Sequence, residues 1–189
     1  MNPIAKLYQS SKTVFTNKDL AVIWEENDPS RLWSKTYRYL KKGLLTRLAR
    51  GVYVKNKDYD PLELATSLYL PSYISFETIF RQVGFVFQYY VTIFVASNIS
   101  KTVIVDDKKI IFRRLKDEIL YSPEGIVKEG NYNIASPERA FLDMLYLAPN
   151  YYFDNLNLLN WENCFELVNV YNNKQLVKRL KTYQKDYAK

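Results

Sequence analysis

The 189-residue chain has no histidine, a single cysteine and five glycines, and each shortage removes a class of chemistry. Without histidine there is no Ser–His or Cys–His nucleophile pair, no imidazole base and no histidine-bearing zinc site. Cys164 cannot form an intramolecular disulfide, which fits a reducing compartment. It falls in an amphipathic stretch with no histidine to activate it, so it reads as a core residue. Five scattered glycines supply no phosphate-cradling loop. Long apolar runs are missing too: Phe85 to Ile99, the most apolar stretch, holds Gln88 and Asn98 and falls short of the ~20 residues a membrane helix needs. The opening MNPIAKLYQSSK lacks the hydrophobic segment of a signal peptide. These absences predict a cytoplasmic, soluble protein that does not enter a membrane. They also predict no catalytic site, cofactor or metal. Hydrophobic residues at 48% and aromatics at 16% predict a folded chain.

The most informative shortage is local. From Pro29 to Lys57 there is no Asp or Glu, whereas a helix that is merely soluble usually interleaves both signs. Residues 1–57 hold 12 Lys and Arg against 4 Asp and Glu, a balance of +8. Residues 58–173 hold 9 against 15, a balance of −6, and residues 174–189 hold 6 against 1, a balance of +5. Positive charge gathered at two places favours a polyanionic partner more than an even basic drift would.

Local signals order the elements. Ile4, Leu7 and Tyr8 mark a first helix. Thr16, with Asp19 three residues on, forms an acidic capping box for a second helix running to Asn27, which buries Leu20, Ile23 and Trp24. Asp28 and Pro29 start a third helix, and Gly43 ends it. Leu45–Leu48 and Val52–Val54 read as strands joined at Ala49-Arg50-Gly51. Helix, helix, helix and ribbon is the order of a winged helix-turn-helix domain. The polar NKDYD stretch at 56–60 marks a boundary, giving domains 1–57 and 58–189.

The second domain is expected to be α+β, with a mixed or antiparallel sheet and helices. Its predicted helices are Pro61–Tyr69, Ser75–Val83 (capped by Ser75), Ser136–Tyr146, Trp161–Tyr171 and Lys174–Tyr187. Its predicted strands are Tyr89–Ser97, a stretch from Thr102 to Leu115 folded at an Asp106-Asp107-Lys108 turn, Ile119–Tyr121, Gly125–Lys128 and Tyr132–Ile134.

In the third helix, Arg31, Ser34, Lys35, Arg38, Lys41 and Lys42 share one face by their three- and four-residue spacing, and Trp33, Tyr37, Leu40 and Leu44 share the other. The second helix of a helix-turn-helix pair enters the major groove with its N-terminal residues on the base edges. Arg31, Ser34, Lys35 and Arg38 are then candidate base readers. Arg31 and Arg38 have the fork that takes guanine bidentately, while Lys41 and Lys42 lie toward the backbone. Arg47 and Arg50 flank the hairpin turn, where a wing reaches an adjacent groove or backbone.

The runs LKKGLLTRLARGVYV, DPLELATSLYLPSYISFETIFRQVGF and SPERAFLDML resemble the AbiEi-type antitoxins of type IV toxin–antitoxin and abortive-infection loci. The resemblance covers most of residues 14–147 in motif order. Arg50-Gly51-Val52-Tyr53 and Pro71-Ser72-Tyr73-Ile74-Ser75 are its most specific parts. The chain departs from the family pattern at IFRQVG (79–84), where a small residue and a histidine are expected before the glycine. The resemblance implies a bacterial transcriptional regulator that represses its own operon by binding inverted repeats in double-stranded DNA. It also implies that the C-terminal domain counters a nucleotidyltransferase-like toxin.

Three further features have plain readings. Glu138 and Asp143 lie five residues apart on one helix, which points them apart and argues against a carboxylate pair. Ser136 caps that helix, Pro137 takes its first position, and Arg139 can pair with Asp143. Asp106-Asp107 suits a hairpin turn better than a metal site. In the last helix, Lys174, Lys178, Lys181 and Lys185 form one stripe beside Leu176, Leu180, Tyr183 and Tyr187; the lysines are solvated or form a secondary basic surface. An alternative to DNA binding is a non-enzymatic interaction module whose basic surface docks an acidic protein partner or RNA.

Overall fold

The computed structural model describes residues 3–87 and 91–187. The fold is α+β, with a three-stranded and a six-stranded sheet. The chain divides into two compact units, 1–68 and 69–189. The division falls after helix α4 (Pro61–Leu68; helices and strands are numbered in chain order), beyond the NKDYD stretch. Helix α4 belongs with the first unit because the buried Glu63 carboxylate accepts hydrogen bonds from the Thr13 amide (2.9 Å) and hydroxyl (2.6 Å).

The first unit opens with α1 (Pro3–Gln9), β1 (Val14–Thr16), α2 (Asn17–Trp24) and α3 (Pro29–Lys41), followed by β2 (Thr46–Ala49) and β3 (Val52–Val54). Its antiparallel sheet runs β1-β3-β2. The capping box at α2 is closed: Asp19 N–H donates to the Thr16 hydroxyl and the Asp19 carboxylate accepts from Thr16 N–H. Burial works against the Asp19 charge, but hydrogen bonds from Lys12 and Thr16 outweigh it and hold the carboxyl below its ordinary range. Helix α2 stops at Trp24, three residues short of the expected end, with Glu25 in the left-handed conformation. Asp28 accepts from Arg31 N–H at 2.8 Å and Pro29 takes the first helical position of α3. At the other end of α3, Gly43 adopts φ +66°. Leu44 N–H donates to the Tyr39 carbonyl and Gly43 N–H to the Leu40 carbonyl, the paired bonds of a Schellman motif. Leu7, Phe15, Leu20, Trp24, Leu45 and Tyr53 form the core, flanked by Ile23, Leu32, Tyr39 and Leu40.

In the second unit, β4 (Ser72–Ile74) precedes α5 (Glu77–Val83), β5 (Ile93–Ser97), β6 (Lys101–Val105) and β7 (Lys108–Arg114). Then come α6 (Asp117–Leu120), β8 (Ile126–Glu129), β9 (Tyr132–Ala135), α7 (Pro137–Leu147), α8 (Trp161–Leu167), a 3₁₀ turn (Val168–Tyr171) and α9 (Lys174–Tyr187). The sheet is mixed, in the order β6-β7-β5-β4-β9-β8. Helix α7 is central to the unit: it packs against β9, α5, α8 and α9, and seven of its eleven residues are buried.

Several sequence expectations are corrected here. Ile119–Tyr121 is not a strand, since Ile119 and Leu120 are the buried end of α6. Ser75 does not cap α5; the N-cap position is Phe76, at φ 58°, because the Ser75 hydroxyl is engaged by Asp143 at 2.8 Å. The segment 161–171 breaks into α8 and the 3₁₀ turn. The strand expected from Tyr89 begins at Ile93, and residues 88–90 lie outside the described residues. No helix among the described residues is long and apolar enough to cross a membrane.

Candidate nucleic-acid interface

The exposed side of α3 follows from which residues its core side needs. Thr36 is 3% exposed and faces the core with Leu32, Tyr39 and Leu40. It can be buried because its hydroxyl donates to the Leu32 carbonyl at 2.8 Å, which satisfies the polar group within the helix. Burial of this stripe turns Ser30, Arg31, Ser34, Arg38, Lys41 and Lys42 to solvent.

The same rotation corrects two expectations. Trp33 and Tyr37 do not face the core: they are 66% and 46% exposed, and their rings stack at 5.4 Å with an interplanar angle of 12°. The Lys41 ammonium sits over the Tyr37 ring at 5.6 Å. Lys35, expected as a base reader, is instead half-buried against α2. Its ammonium lies 5.6 Å over the Trp24 ring and 3.8 Å from the Glu26 carboxylate. The exposed face therefore has two columns. Arg31, Ser34, Arg38 and Lys42 make a polar and cationic one, and Trp33, Tyr37 and Lys41 make an aromatic one capped by charge.

The hairpin sits directly after this helix. Arg47 and Arg50 are both exposed, and Arg47 Nε donates to the Ala49 carbonyl at 3.2 Å, across a bulge that shifts the register between Arg47 and Ala49. The turn is tied to the start of α2, where Asn17 N–H donates to the Gly51 carbonyl at 3.1 Å. Gly51 has φ +74°, and an added Cβ would stand 2.9 Å from Asn17 Nδ2. Gly51→Ala should cost about 1–2 kcal/mol of stability, chiefly from the left-handed backbone, because the amide end of Asn17 can swing aside. Urea unfolding with an unchanged midpoint would contradict this. Beside the hairpin, a cleft of about 450 Å³ opens between α2 and α3, lined by residues that include Lys18, Ala21, Leu32, Trp33 and Tyr53. Lys18 is exposed in the first turn of α2 and adds a cation that the sequence analysis did not single out.

In the second unit the four lysines of α9 (Lys174, Lys178, Lys181 and Lys185) are exposed, while Leu176 and Leu180 are fully buried. Tyr183 and Tyr187 lie half-buried between the two stripes and donate to the Tyr151 and Phe153 carbonyls at 2.5 and 3.1 Å. Arg139 and Asp143 do pair, at 3.3 Å, and both are fully buried. Asp143 also accepts from the hydroxyls of Tyr171 (2.6 Å), Ser75 (2.8 Å) and Tyr73 (3.0 Å). Arg139 donates to the carbonyls of Ile119 (2.6 Å) and Glu124 (2.7 Å). Burial pushes the Asp143 carboxyl above its ordinary range, and Arg139 and the three hydroxyls pull it back. The Arg139–Asp143 pair is fully buried, and its side-chain polar atoms are hydrogen-bonded within the protein, so the cluster holds the unit together. Burial also pushes the Cys164 thiol up, with Glu138 adding to the effect, which leaves that thiol unreactive. No group of His, Cys, Asp and Glu among the described residues could hold a metal ion.

Compared with known proteins, the chain matches no family model and no curated protein.

Proposed function

We propose that the chain is a sequence-specific, duplex-DNA-binding transcriptional regulator whose first unit is a winged helix-turn-helix. The observation that carries this reading is the exposed face of α3, where Arg31, Arg38, Lys41 and Lys42 stand together with no carboxylate on the same face. The order helix–strand–helix–helix–strand–strand, with β1 against β3, supports it. In this arrangement α3 enters the major groove and the β2–β3 hairpin is the wing. Arg31 and Arg38 read base edges, and Lys41, Lys42, Arg47 and Arg50 meet phosphates. The tie from Asn17 to Gly51 sets the hairpin against the helix pair.

The resemblance to AbiEi-type antitoxins extends the proposal. The regulator represses its own toxin–antitoxin operon at inverted repeats, and its second unit counteracts a nucleotidyltransferase-like toxin. Co-expression with the product of the adjacent gene tests that arm, since relief of toxicity by the second unit is the expected outcome.

The DNA arm is tested with the chain's own upstream DNA over a salt series. The four phosphate-neutralising cations would lower affinity about a hundredfold or somewhat more between 50 and 200 mM salt. Lys42→Ala should weaken all duplexes alike and reduce the salt slope by about one. Equal binding to any duplex, indifferent to changes on the α3 face, would overturn the reading.

A further inference from the structure

The aromatic column on α3 has no counterpart among the contacts that phosphate binding requires. Trp33 and Tyr37 stand four residues apart, stacked and exposed, one helical row from Ser34 and Arg38. Covering the exposed, stacked pair with an apolar group would gain about 25 cal/mol for each Å² of apolar surface buried. One side of the Trp33 ring lines the cleft it shares with Leu32 and Tyr53, and 66% of the residue stays exposed. On α3 itself the face around it is cationic and carries no carboxylate, and Glu26 across the cleft is held by Lys35, so an acidic and partly apolar surface fits the exposed face. On duplex DNA the apolar group that projects into the major groove is the thymine 5-methyl, and apolar side chains are its recognised contacts. The rest of the major-groove edge is donors and acceptors, suited to the neighbouring polar column. Phosphates lie outside both.

We infer that Trp33 and Tyr37 are specificity residues that read thymine methyl groups, so that the preferred target places thymines beside the bases read by Arg31 and Arg38. The two columns then divide the work. The cationic one takes guanine and phosphate, and the aromatic one packs on methyls at adjoining steps. Lys41, held over the Tyr37 ring, brings a charge to the phosphate end of the aromatic column. This inference rests on the proposed entry of α3 into the major groove.

The test separates the two ideas. Duplexes selected by the native protein from a random library are remade with deoxyuridine in place of thymidine, which removes the methyl and leaves base pairing intact. Native affinity should fall about fourfold for each contacted methyl. Trp33→Ala and Tyr37→Ala should bind the thymidine duplexes that much more weakly and be nearly indifferent to the deoxyuridine exchange, while Trp33→Phe should keep part of the difference. Both side chains are exposed, so the variants should keep the native circular dichroism and melting behaviour. Equal native affinity for the two duplex forms would overturn the inference and leave the DNA reading standing. Failure of the native protein to enrich any duplex would overturn both. Tighter binding to single-stranded RNA than to any selected duplex, lost in Trp33→Ala, would overturn the inference in favour of base stacking on an unpaired strand.

Discussion

Asp143→Ala should destabilise the second unit by about 3–5 kcal/mol, the range for removing one partner of a buried ion pair. The substitution leaves the Arg139 guanidinium without its counter-charge in a site with no solvent access. It also removes the acceptor shared by the hydroxyls of Tyr73, Ser75 and Tyr171. Asp143→Asn should cost less, because it keeps an acceptor of nearly the same shape while still losing the charge. Urea unfolding followed by near-ultraviolet circular dichroism reads the change, since Tyr73 and Tyr171 lie in the cluster. A midpoint unchanged by Asp143→Ala would mean that the cluster contributes little to stability. Replacing Arg139 and Asp143 together by apolar residues of matched volume should recover much of the loss, as expected where desolvation opposes the pair.

Replacing Arg31 and Arg38 together by alanine should have the largest effect on binding. Each bidentate arginine–guanine contact is worth about 1–3 kcal/mol of discrimination, so the pair should lower affinity for the preferred duplex by at least about thirtyfold. The loss should be confined to the preferred duplex, with nonspecific binding falling far less, because Lys41, Lys42, Arg47 and Arg50 remain for the phosphates. Competition between the preferred duplex and bulk DNA measures this directly. A uniform loss across sequences would assign both arginines to the backbone instead. Both side chains are exposed, and among the described residues neither has a carboxylate at salt-bridge distance, so folding should be unaffected. The Asp28 cap of α3 uses the Arg31 backbone amide, which alanine retains.

The parts of the fold that sequence reasoning reached are those set by short-range signals. Asp28-Pro29 and Gly43 bound α3 because caps act within a turn of the helix end. Strand β1 was not legible. Three residues, Val14-Phe15-Thr16, become a strand only because Val52–Val54 pairs with them from almost forty positions away. The face of α3 was misjudged at Trp33 and Tyr37 because hydrophobic spacing alone treats threonine as a surface residue. Thr36 takes the core position by bonding to its own helix, and that rotates the aromatics outward. Lys35 follows from the same rotation: its spacing matches the cationic row, but Glu26 and Trp24 draw it toward α2. Ser75 carries the chemistry of a cap, but its hydroxyl answers to Asp143, 68 residues further along. At Ile119–Tyr121 the apolar run was too short for its periodicity to separate helix from strand.

The span of the Asp143 cluster bears on the order in which the protein acquires its structure during synthesis. Its members run from Tyr73 to Tyr171, so no nascent chain that stops before Tyr171 can close it. The first unit needs nothing beyond Leu68 to complete its own sheet and core. Domains fold as units in the order they leave the ribosome. The surface proposed to hold DNA is therefore finished first, and for about a hundred residues of translation it is tethered to a second unit whose buried polar cluster is still incomplete. A ribosome stalled in that interval would release a fragment with a complete α3 face and an unfinished second unit.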